Sequence, residues 1–412
     1  MSTEPLNFSC FLGRRVHLGV TGSIAAYKSL ELLRLLTRSQ VAVGVTLTES
    51  AQRFVGADSF RALGADPVRT AMFGPGAGAD PFVHLTPGQK ADALIIAPAT
   101  ANILAKLANG LADDLLSTQA LAFSGPLLLA PAMNPAMWNA PATQANWRTL
   151  LDRGAVGIGP ALGDVACGDT GEGKLAPVEH ILAQVLRALS PRDLAGKTVL
   201  VTLGPTREPW DAVRHLSNSS SGLMGACLAL AAWMRGARVR VVAGPTGIDF
   251  PPGIEVTQVT TARQMLDACQ QLWPDTDLGC CTAAVCDFRP LPQDSQDPER
   301  KLKKRDLARG ELVLRLVQNP DILRTLGEQK RPDQILIGFC AETEDLLSQA
   351  RLKLSEKNLD LIVANLVGVP GSGFDSATNT VTVLDRTGRV EQWPELPKTE
   401  VAWRVWDLLR HL

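Results

Sequence analysis

The sequence has no excess of either charge. Its 412 residues carry 41 Lys and Arg against 42 Asp and Glu, a formal net charge of -1. That balance argues against nucleic acid as the main partner. No apolar run is long enough to span a bilayer, so no membrane partner is expected. The opening "MSTEPLNFSC" lacks the charged start and apolar body of a secretory leader. Eight cysteines are present but no C-x-x-C pair, which argues against a zinc site or disulfide framework and for a reduced, cytoplasmic setting. Low-complexity tracts and short-period repeats are absent too. So is the full G-x-G-x-x-G spacing, which an ordinary nicotinamide dehydrogenase would carry. What remains, 45% hydrophobic and 20% charged, is the balance of a globular protein with a real core. The length exceeds what one ordinary domain needs.

Two segments open alike. "RRVHLGVTGSIAAYKSLELLRLLTRSQVAVGVTLT" reads as strand, Gly turn, helix, strand. "KTVLVTLGPTREP" begins a second such unit at Lys197, and "SSSGLMGACLALAAWMRGARVRVVAG" supplies its helix and next strand. Apolar strands alternating with apolar-faced helices predict an α/β chain of two Rossmann-like three-layer domains with mostly parallel sheets. A helix in "PVEHILAQVLRALSPRDLAGK" followed by Ser190-Pro191 puts the boundary near residue 190, giving domains 1–190 and 191–412. The charged segment "LPQDSQDPERKLKKRDLARGE" is too long for a tight turn. It reads as a mobile functional loop or as a solvated surface loop.

In the first half, Gly19 and Gly22 flank a strand-to-helix turn with Ser23 at the helix start. Exposed amides and a small hydroxyl there suit a phosphate, although a tight turn needs no ligand. A strand over 93–97, ending at Pro98, leads through Thr100 and Asn102 into a helix. "LAFSGPLLLAPAMNPAMW" repeats the pattern and puts Asn134 beyond a strand end. Ligands of α/β sheets bind at that rim, and an Asn amide can hydrogen-bond a carboxylate or an amide. His84 is one of five histidines, and a lone histidine is more often structural. Cys167, in the glycine-dense "GDVACGDTGEGKLAP", reads as a reactive thiol on a flap or as part of a surface turn.

"PAMNPAMW" matches the P-x-M-N-x-x-M-W signature of the flavin-dependent cysteine decarboxylases at every fixed position. "GVTGSIAAYK", "APATANILAKLANGLADDLLS" and "ACGDTGEGKL" resemble that family's other blocks, in its order, over roughly residues 12 to 185. The resemblance implies FMN as cofactor, contacted by Gly22, Ser23, Ser50, Thr100 and Asn102. It implies oxidation of the thiol-bearing carbon of a C-terminal cysteine, then loss of CO2. His84 matches the catalytic histidine, Asn134 the residue holding the departing carboxylate, and Met137 a wall of that pocket. Cys167 matches the flap cysteine of the reductive half. Lys174 stands where the family usually has Arg, keeping the charge but losing the planar fork. Met133 and Trp138 are expected to pack the motif in place. By analogy the flavin site lies between subunits, typically of a trimer.

The second half is dense in polar groups at predicted strand and helix ends. Asn218 to Gly222 precede a helix, which fits an anion or a Ser-rich cap. Asp287 ends a buried strand, as a ribose or metal contact or within a simple turn. Lys301, Lys303, Lys304 and Arg305 form a positive run, solvated or poised to neutralise a nucleotide. "GPTREP", "SNSSSGLMG", "AAVCDF", "KLKK", "NPDIL", "IGFCAET" and "KNLDLIVAN" resemble, in order, the blocks of phosphopantothenate–cysteine ligase over about 194 to 405. The resemblance implies activation of 4'-phosphopantothenate by CTP with Mg2+ as an acyl-cytidylate, which the amine of cysteine then attacks. Asn218 matches the residue stabilising that intermediate and Lys301 the catalytic loop lysine. Asp287, Phe339, Lys353, Lys357 and the turn Asn319-Pro320-Asp321-Ile322 match CTP contacts. Arg214 matches a residue near the acyl group and phosphate. Leu223 stands where bacterial members commonly carry Lys.

The two resemblances in one chain, decarboxylase first, imply the bifunctional arrangement of coenzyme A biosynthesis. The ligase product would be the decarboxylase substrate, and 4'-phosphopantetheine the end product. A homo-oligomer follows by the same resemblance, with trimeric decarboxylase and dimeric ligase contacts.

Overall fold

The computed structural model describes residues 8–74, 80–291, 301, 313–342, 344–366 and 376–409. The chain divides into two compact units, Asn7–Pro191 and one carried by Arg192–Leu412.

The first unit contains β1 (Arg15–Val20), β2 (Ala42–Leu47), β3 (Val68–Arg69), β4 (Ala93–Ala99), β5 (Leu127–Pro131) and β6 (Val156–Gly157). They form one parallel sheet in the order β3-β2-β1-β4-β5-β6, the doubly wound order whose chain reversal opens a crevice beside β1. A small antiparallel hairpin, β7 (Ala161–Asp164) and β8 (Thr170–Lys174), follows the sheet. The helices are α1 (Lys28–Arg38), α2 (Ala57–Ala62), α3 (Thr86–Lys90), α4 (Ala101–Asn109), α5 (Leu115–Ala122), α6 (Pro135–Asn139), α7 (Pro141–Asp152) and α8 (Val178–Leu189).

The apolar pattern explains the layers. β4 reads ALIIAPA and is buried at every position, as a central parallel strand should be. α1 buries Leu32, Leu33, Leu35 and Leu36, and α8 buries Ile181, Leu182, Val185 and Leu186. Both follow the 3.6-residue spacing of a one-sided helix. Each such side chain contributes about 1.5–3 kcal/mol by leaving water. α5 starts on a reciprocal cap, with Asp114 accepting from Ser117 N while Ser117 Oγ accepts from Asp114 N.

One boundary differs from the sequence reading. β4 continues through Pro98 to Ala99 instead of stopping at Pro98. The register against β5 shifts between Ile96 and Ala99, and that irregularity admits a residue with no N–H to donate.

The second unit is a larger version of the same plan. Its strands are β9 (Thr198–Leu203), β10 (Arg207–Pro209), β11 (His215–Ser217), β12 (Arg238–Ala243), β13 (Ile254–Gln258), β14 (Leu278–Cys281), β15 (Phe288–Pro290), β16 (Leu316–Gln318), β17 (Ile335–Glu342), β18 (Leu361–Leu366), β19 (Thr378–Asp385) and β20 (Val390–Pro397). The main sheet runs β13-β12-β9-β14-β17-β18-β19-β20, parallel as far as β18 and antiparallel beyond. β10–β11 and β15–β16 are separate two-stranded antiparallel pairs. The helices are α9 (Leu223–Met234), α10 (Ala262–Leu272), α11 (Ile322–Glu328), α12 (Leu346–Glu356) and α13 (Lys398–Leu408).

α9 is apolar all round because it is covered all round. Every residue from Gly225 to Met234 is buried, between β9 on one side and α13 on the other. Trp406 of α13 is fully buried and donates its indole N–H to Leu228 O of α9 at 3.0 Å. Asp360, just before β18, is a second anchor. Its carboxylate accepts from Lys330 Nζ (2.8 Å) and Leu336 N (2.8 Å) and pairs with Arg386 (2.8 Å).

Candidate functional site

The turns after β1, β2, β4 and β5 all open on one rim of the first sheet, the carboxyl ends of its strands. Gly22 and Ser23 follow β1, Ser50 follows β2, Thr100 and Asn102 follow β4, and Asn134 follows β5. Gly22 is needed for close approach, since a Cβ there would lie 2.4 Å from Ser50 Cβ. Ser23 caps the helical turn before α1, accepting from Ala25 N at 3.3 Å. Thr100 begins α4 without bonding its hydroxyl to the helix. Its N–H instead donates to Thr21 Oγ1 at 3.1 Å, and Thr21 Oγ1 donates to Pro98 O at 2.7 Å. The β1 and β4 turns are thereby tied together, and two helix starts present amides to one crevice. That cradle fits an anionic, phosphate-bearing group.

The β7–β8 hairpin folds back over this rim. Met133 N donates to Gly173 O at 2.9 Å, and the backbones press together so tightly that a Cβ at Gly173 would lie 2.3 Å from Met133 O. The contact brings Cys167 to Asn134, with Asn134 Nδ2 at 3.2 Å from Cys167 Sγ. Asn134 also caps α6, its Oδ1 accepting from Ala136 N at 2.8 Å. Pro131 ends β5 and Pro135 opens α6, fixing φ on either side of the asparagine. Trp138 is buried edge-on to Trp147, with centroids 5.4 Å apart, and Met133 packs on the same core. A cavity of about 400 Å³ lies under the hairpin, lined by Ser23, Tyr27, Asn134, Cys167 and Lys174 among others.

The other expected residues of this half stand outside that cavity. Met137 lies on α6 with half its surface exposed. His84 is partly buried in the turn before α3 and does not line the cavity. Its neighbour Val83 is held by Gln119 Nε2 of α5, which donates to Val83 O at 2.9 Å. One chain therefore joins Asn134 to Cys167 but not to His84. His17, on β1, is a structural histidine. Burial lowers its pKa from 6.5 to about 4, and its Nε2 bonds Thr46 Oγ1 at 2.8 Å.

The second unit has its cavity, about 380 Å³, at the corresponding carboxyl end of β9, β14 and β17. Asn218, Asp287, Asn319, Pro320, Asp321, Ile322, Phe339 and Lys357 all line it, as does Leu223 of α9. Asp287 does so from an exposed bend beyond β14, which already ends at Cys281, and not from the end of a buried strand as the sequence suggested. Asn218 is aimed by its own amide, Nδ2 donating to Val285 O at 3.0 Å. Asn319 is buried, with Nδ2 donating to Cys286 O (2.9 Å) and Oδ1 accepting from Arg289 Nη1 (3.1 Å). Asp321 caps α11 through Arg324 N at 3.0 Å and pairs with Lys357 Nζ at 2.9 Å. Burial pushes the Asp321 pKa up, but the Arg324 amide and the Lys357 charge outweigh it and hold the carboxyl below its usual range.

Lys353 stands just outside the lining residues, paired with Glu342. Burial works against its charge, while Glu342, then Cys340 and Asp287, raise its pKa on balance. Arg214 is not a lining residue. It is turned to Asp211, with Nη2 at 2.6 Å, and stacks 4.3 Å over the Trp210 ring. Lys301 is exposed, and Lys303, Lys304 and Arg305 lie outside the described residues. Cys281 and Cys340 line the cavity, but burial pushes their thiols up to about 12 and about 11, so neither is a ready nucleophile.

Sequence reasoning missed several lining groups. Asn365 of β18, Asn379 of β19 and the buried Lys398 of α13 join the second cavity from strands and a helix far along the chain. Asp169 was in view, two residues past Cys167, but nothing in its spacing marked it. Its Oδ2 is 2.5 Å from Asn134 Nδ2. Among the described residues, no group of three or more His, Cys, Asp or Glu side chains is placed to hold a metal ion, and no helix is long and apolar enough to cross a membrane.

Comparison with known proteins gives a consistent picture. Residues 9–190 match the flavoprotein family model, and residues 194–412 match that of the DNA/pantothenate metabolism flavoprotein C-terminal domain. The coenzyme A biosynthesis bifunctional protein CoaBC of Bacillus subtilis (strain 168) is 42% identical over 398 residues, covering 95% of each chain. The protein of that name from Vibrio vulnificus (strain YJ016) is 39% identical over 404 residues, covering 97% of each. A crystal structure of the C-terminal domain of such a protein matches with TM-score 0.45 and 38% identity, covering 53% of this chain and 97% of that one.

Proposed function

The chain belongs to the family of bifunctional coenzyme A biosynthesis proteins, which join a flavoprotein phosphopantothenoylcysteine decarboxylase to a phosphopantothenate–cysteine ligase, and on that premise we propose how its two cavities divide the work. Residues 1–190 would hold FMN and decarboxylate. Residues 191–412 would use CTP and Mg2+ to condense 4'-phosphopantothenate with cysteine. The observation that carries this reading is the meeting of Asn134, Cys167 and Lys174 at one cavity, on the rim where Gly22, Ser23, Ser50, Thr100 and Asn102 also converge.

In the second unit, a carboxylate oxygen of 4'-phosphopantothenate attacks the α-phosphorus of CTP and pyrophosphate leaves. The amine of cysteine then attacks the acyl carbon and CMP leaves. Lys357 and Lys353 would face the triphosphate, and Asn218 the mixed anhydride, where charge develops. Asp287, Phe339 and the 319–322 turn would frame the nucleotide. Lys301 would act from the charged loop, and Arg214 near the acyl group after leaving Asp211. Mg2+ would enter with the triphosphate.

In the first unit, bound FMN supplies oxidation of the thiol-bearing carbon and later returns the electrons. Asn134 holds the substrate carboxylate in place until CO2 departs, and Met137 walls the apolar body. Lys174 adds a positive charge at the cavity mouth. His84 handles the proton near the oxidised carbon. Cys167 donates a proton to the ene-thiol that CO2 loss leaves behind. The separation of His84 from Asn134 within one chain supports a site shared between copies of the chain, as in a trimer, with ligase units pairing as dimers. Exposed Tyr27, Phe82 and Met137 fit surfaces awaiting a flavin or a neighbouring copy. A cytoplasmic setting completes the reading.

Purified protein is expected to be yellow and to release one FMN per chain on denaturation, about one equivalent by absorbance. A colourless preparation that FMN fails to reconstitute overturns the decarboxylase half.

A further inference from the structure

The hairpin carrying Cys167 already takes up the hydrogen-bonding capacity of Asn134. Oδ1 accepts from Ala136 N, which fixes the way the side-chain amide faces and leaves Nδ2 with two protons to donate. Both are taken, by Asp169 Oδ2 at 2.5 Å and by Cys167 Sγ at 3.2 Å. The Cys167 thiol in turn donates to the same Asp169 oxygen at 3.4 Å. The turn that sets this up is closed by its backbone, with Val165 N donating to Asp169 O at 2.9 Å. Among the described residues, no Lys or Arg pairs with the Asp169 carboxylate, and the side chain is exposed. It can therefore leave Asn134 for water without stranding a buried partner.

Resting on the decarboxylase reading above, we infer that Asp169 is an internal stand-in for the substrate carboxylate. While no substrate is bound, it occupies the Asn134 amide and holds the Cys167 thiol beside it. An incoming carboxylate gains Asn134 by displacing one of these two partners, because the amide has no third proton to give, and the like-for-like exchange is with the Asp169 carboxylate. The displaced loop keeps Cys167 close through the Met133–Gly173 backbone contact, which involves neither side chain. Asp169 is thus a positioning residue that makes binding a carboxylate exchange and discriminates against ligands that cannot drive it.

The test uses the full-length, flavin-loaded chain and the variants Asp169→Ala and Asp169→Asn, the second nearly the same size as the original. Removing the competitor should lower KM for 4'-phospho-N-pantothenoylcysteine about tenfold, the scale of one hydrogen bond to a charged group, with a smaller change in kcat. The inhibition constant of 4'-phosphopantetheine, which has no carboxylate to exchange, should not move. In the free protein, alkylation of Cys167 by iodoacetamide should accelerate several-fold, with Cys167→Ser identifying the site. An equal shift for substrate and product means general loosening of the hairpin and overturns the inference, as does unchanged KM with unchanged alkylation. Absence of CO2 release from the wild-type chain overturns instead the decarboxylase reading, and the alkylation rates then still decide whether Asp169 holds the thiol.

Discussion

Asn134→Asp is expected to stop CO2 release while CTP-dependent condensation continues at the wild-type rate. The substitution changes almost nothing in size, and Asp is as good a helix cap as Asn, so acceptance from Ala136 N can persist and α6 should form. What changes is the outward face. Nδ2, which donates two hydrogen bonds, becomes a carboxylate oxygen that donates none. It would repel both Asp169 and the substrate carboxylate. Losing one aligned donor to a reacting group costs on the order of 10²–10³ in rate, and repulsion adds to that. The check is parallel measurement of CO2 from 4'-phospho-N-pantothenoylcysteine and of CMP from the ligase substrates. Decarboxylation within tenfold of wild type would remove Asn134 from its assigned role, and loss of both activities in a folded protein would contradict the independence of the two units.

Lys357→Met is expected to raise KM for CTP and lower kcat/KM for ligation on the order of a hundredfold, leaving decarboxylation intact. Lys357 follows the last turn of α12, and its ammonium meets Asp321 at 2.9 Å on the cavity wall. Methionine keeps the length of the stem and removes the charge. The triphosphate then loses a cation and meets an uncompensated Asp321, whose carboxyl is held ionised in part by Lys357 itself. The double variant Lys357→Met with Asp321→Asn should recover part of the loss, because it removes the orphaned charge. CTP saturation curves decide the matter. An unchanged KM would mean that the pair only anchors α11.

Much of this was legible in the residues themselves. Continuous apolar strands alternating with apolar-faced helices located both sheets, and strand-end polar residues located both rims. Asn134 and Cys167 were visible because their local motifs are specific. What the structure adds comes from contacts between distant segments. Lys398 begins a helix near the chain's end, and only the packing of α13 against α9 brings it to the cavity. Asp169 has no reading from the sequence, and only the Met133–Gly173 contact, which folds the hairpin over Asn134, brings it to that amide. The strand over 93–97 read as ending at Pro98, and the register shift beside it is what lets β4 continue. Arg214 matched a ligand-facing position by motif, yet its guanidinium is committed to Asp211 and the Trp210 face. His84 matches the catalytic histidine by motif, yet it does not line the cavity that Asn134 and Cys167 share.

The central claim is that one chain performs both steps in sequence. The measurement is a single incubation of flavin-loaded protein with 4'-phosphopantothenate, cysteine, Mg2+ and CTP, following CMP and CO2 together. The account predicts CMP first and CO2 after a lag, approaching one CO2 per CMP with 4'-phosphopantetheine as product, and much less CMP-equivalent product when ATP replaces CTP. CMP without CO2, or no CMP from the ligase substrates by a protein that still releases CO2 from added 4'-phospho-N-pantothenoylcysteine, would contradict it.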